Sequence, residues 1–182
     1  MTQQTTHMTE PQVPGLTVGP RMEFLAIGDI IPGHEDALRQ VLKENQANPR
    51  TQEALHSIGT LHEARFVMMD GGKRLLFASS FDGTWDNYID DFATTAVAHT
   101  FSETWSHVQG FPGIKDPSVK DWFKEHAVKA STYVVAYPGV TVKQIWRALA
   151  VAAAFDQVLD SPDAAEALQQ PALKPLLDQA AV

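Results

Sequence analysis

The sequence of 182 residues contains no cysteine. This absence excludes disulfides, thiolate nucleophiles, iron–sulfur clusters, zinc–thiolate sites and covalent c-type haem attachment. The chain also lacks an apolar run of the roughly 18 residues that mark a membrane-spanning helix. Its start lacks the positive and then apolar segments of a secretory signal peptide. We therefore expect a cytoplasmic protein.

Basic residues are few. Fourteen Lys and Arg face 22 Asp and Glu, which gives a net charge of −8, and the basic residues form no cluster. Nucleic acids and anionic membrane surfaces both require a positive surface on the protein. We therefore expect neither nucleic acid nor membrane as a partner.

The remaining composition is that of a globular protein, with 44% hydrophobic and 20% charged residues. Residues 1–20 are polar and are predicted to form an arm that is disordered or contacts a partner subunit. Residues 21–160 are predicted to form one domain. Residues 161–182, which open with Ser161 and Pro162, are predicted to form a C-terminal helical tail.

Hydrophobic periodicity and turn residues predict the secondary structure. The expected strands are 22–31, 61–69, 74–81 and 131–139, and the expected helices are 33–46, 51–58, 85–96, 101–108, 117–126 and 141–159. Residues 70–73, Asp-Gly-Gly-Lys, supply the turn of a hairpin. The order predicts an α+β fold, a ferredoxin-like βαββαβ core with an antiparallel sheet and extra helices. One face of such a sheet carries the helices, and we expect a second copy to cover the other.

Several stretches carry a resemblance to a known superfamily. They are "IIPGHEDALRQVL", "GTLHEARFVMMD", "LLFASSFDGTWDNYIDDF", "QGFPGIKDPSVKDWFKEH" and "YVVAYPGVTVKQI". They resemble the dimeric α/β-barrel superfamily, which includes antibiotic-biosynthesis-type monooxygenases, haem-degrading oxygenases, chlorite dismutases and dye-decolourising peroxidases. The last four of these stretches are most similar to an uncharacterised bacterial family of that fold. The resemblance implies a homodimeric α/β barrel. Proteins of this superfamily carry out many different reactions.

His62 and Arg65, on the second predicted strand, are the first candidate catalytic residues. Regular alternation places His62 on one face and Glu63 with Arg65 on the other. Arg65 could clamp a substrate carboxylate, with Glu63 beside it as a binding residue, or it could pair with Glu63 or an aspartate across a dimer. His62 could act as acid, base or hydrogen-bond donor, or it could be a satisfied core histidine.

Aromatic residues and two further histidines complete the candidates. Tyr133, Tyr137 and Trp105 suit the wall of an apolar substrate pocket, and they suit a core or a dimer interface equally well. His99 and His107 would lie about 12 Å apart on one helix, too far for one metal. Each is a candidate axial ligand of haem, or a structural residue, so the expected cofactor is haem or none.

The stretch "DGTWD", residues 82–86, joins a strand to a helix. Thr84 is predicted to cap that helix and Trp85 to enter the core. Asp86 and Asp90 share a helix face. They could form a solvated acidic surface or a site for a hard cation.

Two functions follow from these candidates. The first is a small-molecule enzyme acting on a hydrophobic or aromatic substrate, such as a monooxygenase- or peroxidase-like oxidoreductase. The alternative is a non-catalytic protein that binds an apolar ligand or acts as a dimeric accessory protein. An enzyme should bring at least two titratable groups together in one pocket, whereas a binding protein should have an apolar pocket. A third reading is a purely structural role.

Overall fold

The computed structural model describes residues 14–180. The strands are β1 (Thr17–Val18), β2 (Arg21–Asp29), β3 (Leu61–Met69) and β4 (Arg74–Asp82). The α-helices are α1 (Glu35–Ala47), α2 (Pro49–His56), α3 (Trp85–Thr94), α4 (Ala98–Trp105), α5 (Val119–His126), α6 (Val142–Leu159), α7 (Ala165–Leu168) and α8 (Lys174–Ala180). Residues 1–13 of the predicted arm lie outside the described residues, whereas Thr17 and Val18 join the sheet.

The strands form one antiparallel open sheet in the order β1-β2-β4-β3. β2 pairs with β4 along its whole length, from Arg21 opposite Asp82 to Asp29 opposite Arg74. β3 pairs with the other side of β4, so β3 is an edge strand. With eight α-helices among the described residues, the fold is α+β.

The turn between β3 and β4 shows why the hairpin forms where the sequence predicts it. Asp70, Gly71 and Gly72 have φ of 54°, 70° and 90°, a region that glycine enters without steric cost. The same conformation recurs at Gly83 (φ 96°), where β4 passes into α3. Thr84 follows as the residue before α3, but its side chain makes no capping hydrogen bond there.

The predicted strand at 131–139 does not form, and this expectation was wrong. Residues 129–141 lie in neither helix nor strand. The outer edge of β2, where such a strand would pair, already carries other partners: Leu16 O accepts from Glu23 N–H and Val128 N–H donates to Leu25 O. The chain instead leaves this edge, and the Tyr133 hydroxyl reaches Ser80 Oγ at 2.6 Å.

The core lies between one face of the sheet and helices α1, α3, α4 and α5, and it is rich in aromatic rings. Phe24 of β2 meets Trp85 and Phe123 edge to face, each with ring centroids 5.9 Å apart. Phe81 of β4 stacks on Tyr88 at 3.7 Å. Such aromatic pairs contribute about 0.5–1.5 kcal/mol each beyond their burial, so they fix how the helices sit on the sheet.

The chain divides into two compact units, one ending at Val142 and the other beginning at Lys143. The first contains the sheet and its helices. The second contains most of α6 together with α7 and α8, and it leaves apolar side chains such as Leu149 and Val151 exposed. Within residues 14–180, no helix combines the length and the apolar composition that crossing a bilayer requires.

Candidate functional site

A cavity of about 290 Å³ lies beside the edge strand β3, beneath α1, α2 and α4. Its floor is aromatic. Phe66 and Phe77 are directly opposed across β3 and β4, with ring centroids 4.8 Å apart. Phe92 of α3 and Phe101 of α4 stack at 4.1 Å and complete the floor. Four phenyl rings therefore line the same cavity. Two are placed there by the alternation of side chains along β3 and β4, and two by the helical spacing of α3 and α4.

The rim of the cavity is polar and uncharged except at one position. It carries amides and hydroxyls from α1, α2 and α4, namely Asn45, Gln46, Thr51, Gln52, Thr100 and Thr104. Asn45 Nδ2 donates to Thr104 Oγ1 at 3.4 Å, and that hydroxyl donates to the Thr100 carbonyl at 3.0 Å. These groups are held in place and can orient a ligand by hydrogen bonds.

Arg65 is the one ionisable residue among the described residues that line this cavity. It lies at the exposed middle of β3 and pairs with Ala78, so it starts from the sheet face opposite the one that carries Phe66 and Phe77. Because β3 is an edge strand, Arg65 lines the cavity from its edge rather than from its floor. Within one chain, no carboxylate of residues 14–180 lies within ion-pair distance of its guanidinium, and a pair with Glu63 or an aspartate across a dimer stays a prediction. Its hydrogen-bond donors are therefore free to meet an anionic group.

His62 lies elsewhere, in a hydrogen-bonded cluster at the end of β4. Its Nε2 is 2.8 Å from Asp82 Oδ1, and Asp82 Oδ2 accepts from the Val142 backbone N–H at 2.7 Å. The two side chains are 8% and 12% exposed. A bulge between Leu61 and Glu63 inserts His62 as an extra residue, which breaks the regular alternation expected for this strand.

The four other residues predicted for a substrate pocket or its wall are dispersed. Glu63 is exposed and Tyr133 is bound to Ser80, and neither lines the aromatic cavity. Tyr137 is 72% exposed, whereas Trp105 is 0% exposed. Trp105 packs between rings of the sheet and α5, including Phe123 at 5.2 Å. The structure thus brings only Arg65, of all the predicted site residues, to the cavity.

His107 forms a pair that the sequence analysis missed. Its Nδ1 lies 3.2 Å from Nδ1 of His34, and the ring centroids are 5.2 Å apart. Burial, and then the His34 charge, lower the pKa of His107, while Glu103 opposes the shift. His34 and His107 are 73 positions apart, so no local pattern could have signalled the contact.

Haem requires an axial side chain that faces an apolar cleft. Among the described residues, no histidine lines the aromatic cavity. His99 is exposed on α4, and His107 lies against His34. The residues therefore do not fit a haem in this cavity.

Asp86 and Asp90 face a lysine rather than an open cation site. Lys120 Nζ lies 2.8 Å from Asp90 and 3.6 Å from Asp86. The hydrogen bond to Asp90 raises the pKa of Lys120 above its ordinary value. The ammonium group thus neutralises the acidic face of α3.

Fold and cavity together define an α+β protein with an antiparallel open sheet and an aromatic-floored cavity at its β3 edge. No protein-family model matches the sequence, and no curated protein is significantly similar to it.

Proposed function

We propose that this protein binds a small aromatic molecule bearing an acidic group, with the ring on the phenylalanine floor and the acid at Arg65. The observation that carries the proposal is a cavity of about 290 Å³ whose single ionisable lining residue among those described is an arginine without an ion pair. This function corresponds to the non-catalytic alternative of the sequence analysis.

The size and lining of the cavity limit the ligand class. Pockets for drug-sized ligands hold about 300–1,000 Å³ and are mainly apolar with a few placed polar groups. A cavity at the lower end of that range suits one or two fused rings. The phenyl groups of Phe66, Phe77, Phe92 and Phe101 offer edges and faces to such a ring.

Arg65 supplies selectivity for an acid. A guanidinium presents a planar fork that matches the two oxygens of a carboxylate, and such charge-assisted bonds are the stronger ones in proteins. The chain as a whole carries a net charge of −8, so an anionic ligand gains little from the general field and depends on this residue.

Binding is favoured over catalysis because Arg65 stands alone. The enzymatic expectation required His62 and Arg65 to act on one ligand, but His62 is held by Asp82 and does not line the cavity. A monooxygenase- or peroxidase-like activity would also need a second reactive group in the cavity, and its lining offers amides and hydroxyls instead.

The test is calorimetric titration with phenyl- and naphthyl-carboxylates and with their neutral amides. We expect the acids to bind more tightly than the amides. Arg65→Gln should weaken acid binding at least tenfold, about 1.4 kcal/mol, and leave amide binding unchanged. Arg74→Gln is the matched control, because Arg74 pairs with Asp70 and does not line the cavity. Absence of binding by every compound, or equal losses for acid and amide, would reject the proposal.

A second candidate function rests on the His62–Asp82 pair. A carboxylate bonded to one imidazole nitrogen orients the ring and makes the other nitrogen available as a base. If the protein turns over an aromatic substrate, we propose that the His62–Asp82 pair transfers the proton. His62→Gln should then abolish turnover, and retained turnover in His62→Gln would exclude this candidate.

We also propose that two copies of the chain associate through the sheet face opposite the helices, as the dimeric α/β-barrel resemblance implies. On that face Val67 of β3 is 42% exposed, and the half-buried Leu25 and Ile27 of β2 lie on the other side of β4. Light scattering should give twice the mass of one chain, and Val67→Asp should give monomers. The control is Val134→Asp, at an exposed position outside the sheet. A monomeric wild type would reject the pairing.

A further inference from the structure

We propose that His34 and His107 form a two-histidine site for a divalent transition metal such as Zn²⁺ or Co²⁺, completed by water or a small exogenous ligand. The pair lies outside the aromatic cavity, and neither residue lines it. The inference therefore stands independently of the proposed ligand binding.

The distance between the two nitrogens fits a shared metal. Two nitrogen ligands at about 2.0–2.1 Å from a tetrahedral zinc ion are about 3.3 Å apart. The Nδ1 atoms of His34 and His107 are 3.2 Å apart, and the rings are inclined at 71°. The two imidazoles thus bring their Nδ1 atoms, from two different parts of the chain, to the separation that a shared metal requires.

The backbone holds both histidines in this arrangement. Ile31 N–H donates to the His107 carbonyl at 2.9 Å, and His34 N–H donates to the Ile31 carbonyl at 2.9 Å. Ile30 and Val108, both buried, form an isolated β-bridge. Each histidine is within a few residues of these bonds, so the backbone positions from which the two rings extend are fixed relative to each other, which favours a metal site.

The surroundings leave the site open. In the part of the chain that the structure describes, no group of three His, Asp or Glu side chains could hold a metal ion. Two protein ligands therefore leave positions for water or an added ligand. Both histidines are half-buried, so the metal can reach them from solvent.

The alternative for this pair is a simple N–H···N hydrogen bond between two neutral rings. Such a bond spans a similar distance, so a measurement of metal binding has to distinguish the hydrogen bond from the metal site. Imidazole is a ligand for zinc, copper and nickel, and cobalt reports its coordination through visible absorption. The experiment therefore uses metal ions themselves as probes.

The experiment titrates full-length, tag-free, chelator-treated protein with Co²⁺ and with Zn²⁺. We expect one equivalent to bind, with a visible cobalt band that zinc displaces. His34→Asn and His107→Asn should each weaken binding at least tenfold. His99→Asn is the matched control, because His99 is exposed and separate from the pair, and it should bind like the wild type.

A second readout keeps the test decisive if a variant is poorly folded. In wild-type protein, zinc should shift the Nδ1 resonances of two histidines in long-range ¹H–¹⁵N spectra and leave those of the others in place. No stoichiometric binding, or binding that both pair variants retain, would show that His34 and His107 make a hydrogen bond only.

Discussion

The imidazole of His62 lies 2.8 Å from the carboxylate of Asp82. His62 is near the start of β3 and Asp82 is at the end of β4, and the antiparallel pairing of the hairpin brings these two ends together. The same carboxylate accepts the backbone N–H of Val142 at 2.7 Å. One aspartate thus connects the start of β3, the end of β4 and the beginning of α6. Its neighbours largely shield Asp82 from solvent, so loss of its charge should lower the free energy of unfolding.

Asp82→Asn should lower the free energy of unfolding by about 1–3 kcal/mol, because two hydrogen bonds to a largely buried charged group are weakened. Urea denaturation measures the change. The control is Asp70→Asn, which removes an exposed pair with Arg74 and should cost less than about 1 kcal/mol. Equal losses in the two variants would contradict a structural role for the cluster.

Trp105→Ala should destabilise the protein by about 3–5 kcal/mol, because it removes a ring that is 0% exposed and leaves a cavity among its aromatic neighbours. Thermal and urea unfolding report the loss. Tyr137→Ala, at a residue that is 72% exposed, should change stability by no more than about 0.5 kcal/mol. A mild effect at Trp105 would show that the core tolerates the gap.

Gly28→Ala should destabilise the fold by about 1–3 kcal/mol through overpacking. A Cβ at Gly28 would lie 2.4 Å from Cγ1 of Val108, which packs against β2. Gly139→Ala is the matched control, because a Cβ there meets no atom within 4 Å. Comparison of the two midpoints in urea tests the prediction; a neutral Gly28→Ala would mean that Val108 can move aside.

Asp91→Asn should raise the midpoint of thermal unfolding at pH 7. Burial, and then the charge of Asp90, raise the pKa of Asp91. The folded state therefore holds this proton more tightly than the unfolded chain. Stability contributed by the protonated form is present at low pH and is lost as the pH rises through the raised pKa. Neutralising the residue removes that loss.

Melting curves at pH 7 and at pH 3 test this effect, and the gain of Asp91→Asn should vanish at pH 3. Asp116→Asn is the control, because hydrogen bonds from Ser118 lower the pKa of Asp116 and its charge is favourable in the fold. That variant should gain nothing at pH 7. A higher unfolding midpoint in both variants would show that the reduced net charge, rather than the surroundings of Asp91, causes the gain.

Local signals in the sequence predicted much of the fold. Strand alternation, helical spacing and the glycines at 71 and 72 marked the hairpin and the helices around it, and the structure has them near the expected positions. The burial of Trp85 was predicted from the same signals. These features depend on residues a few positions apart, whose mutual geometry the backbone period sets.

The tertiary structure alone decided the sites. A one-residue bulge turned His62 towards Asp82, and the occupied edge of β2 prevented the strand expected at 131–139. The His34–His107 contact spans 73 positions. Likewise, the cavity collects Arg65 and four phenylalanines from four different elements. The sequence by itself determined an α+β chain with a hairpin and an apolar core. Which side chains meet depended on strand register and edge pairing, since a shift of one residue reverses the face that a side chain occupies.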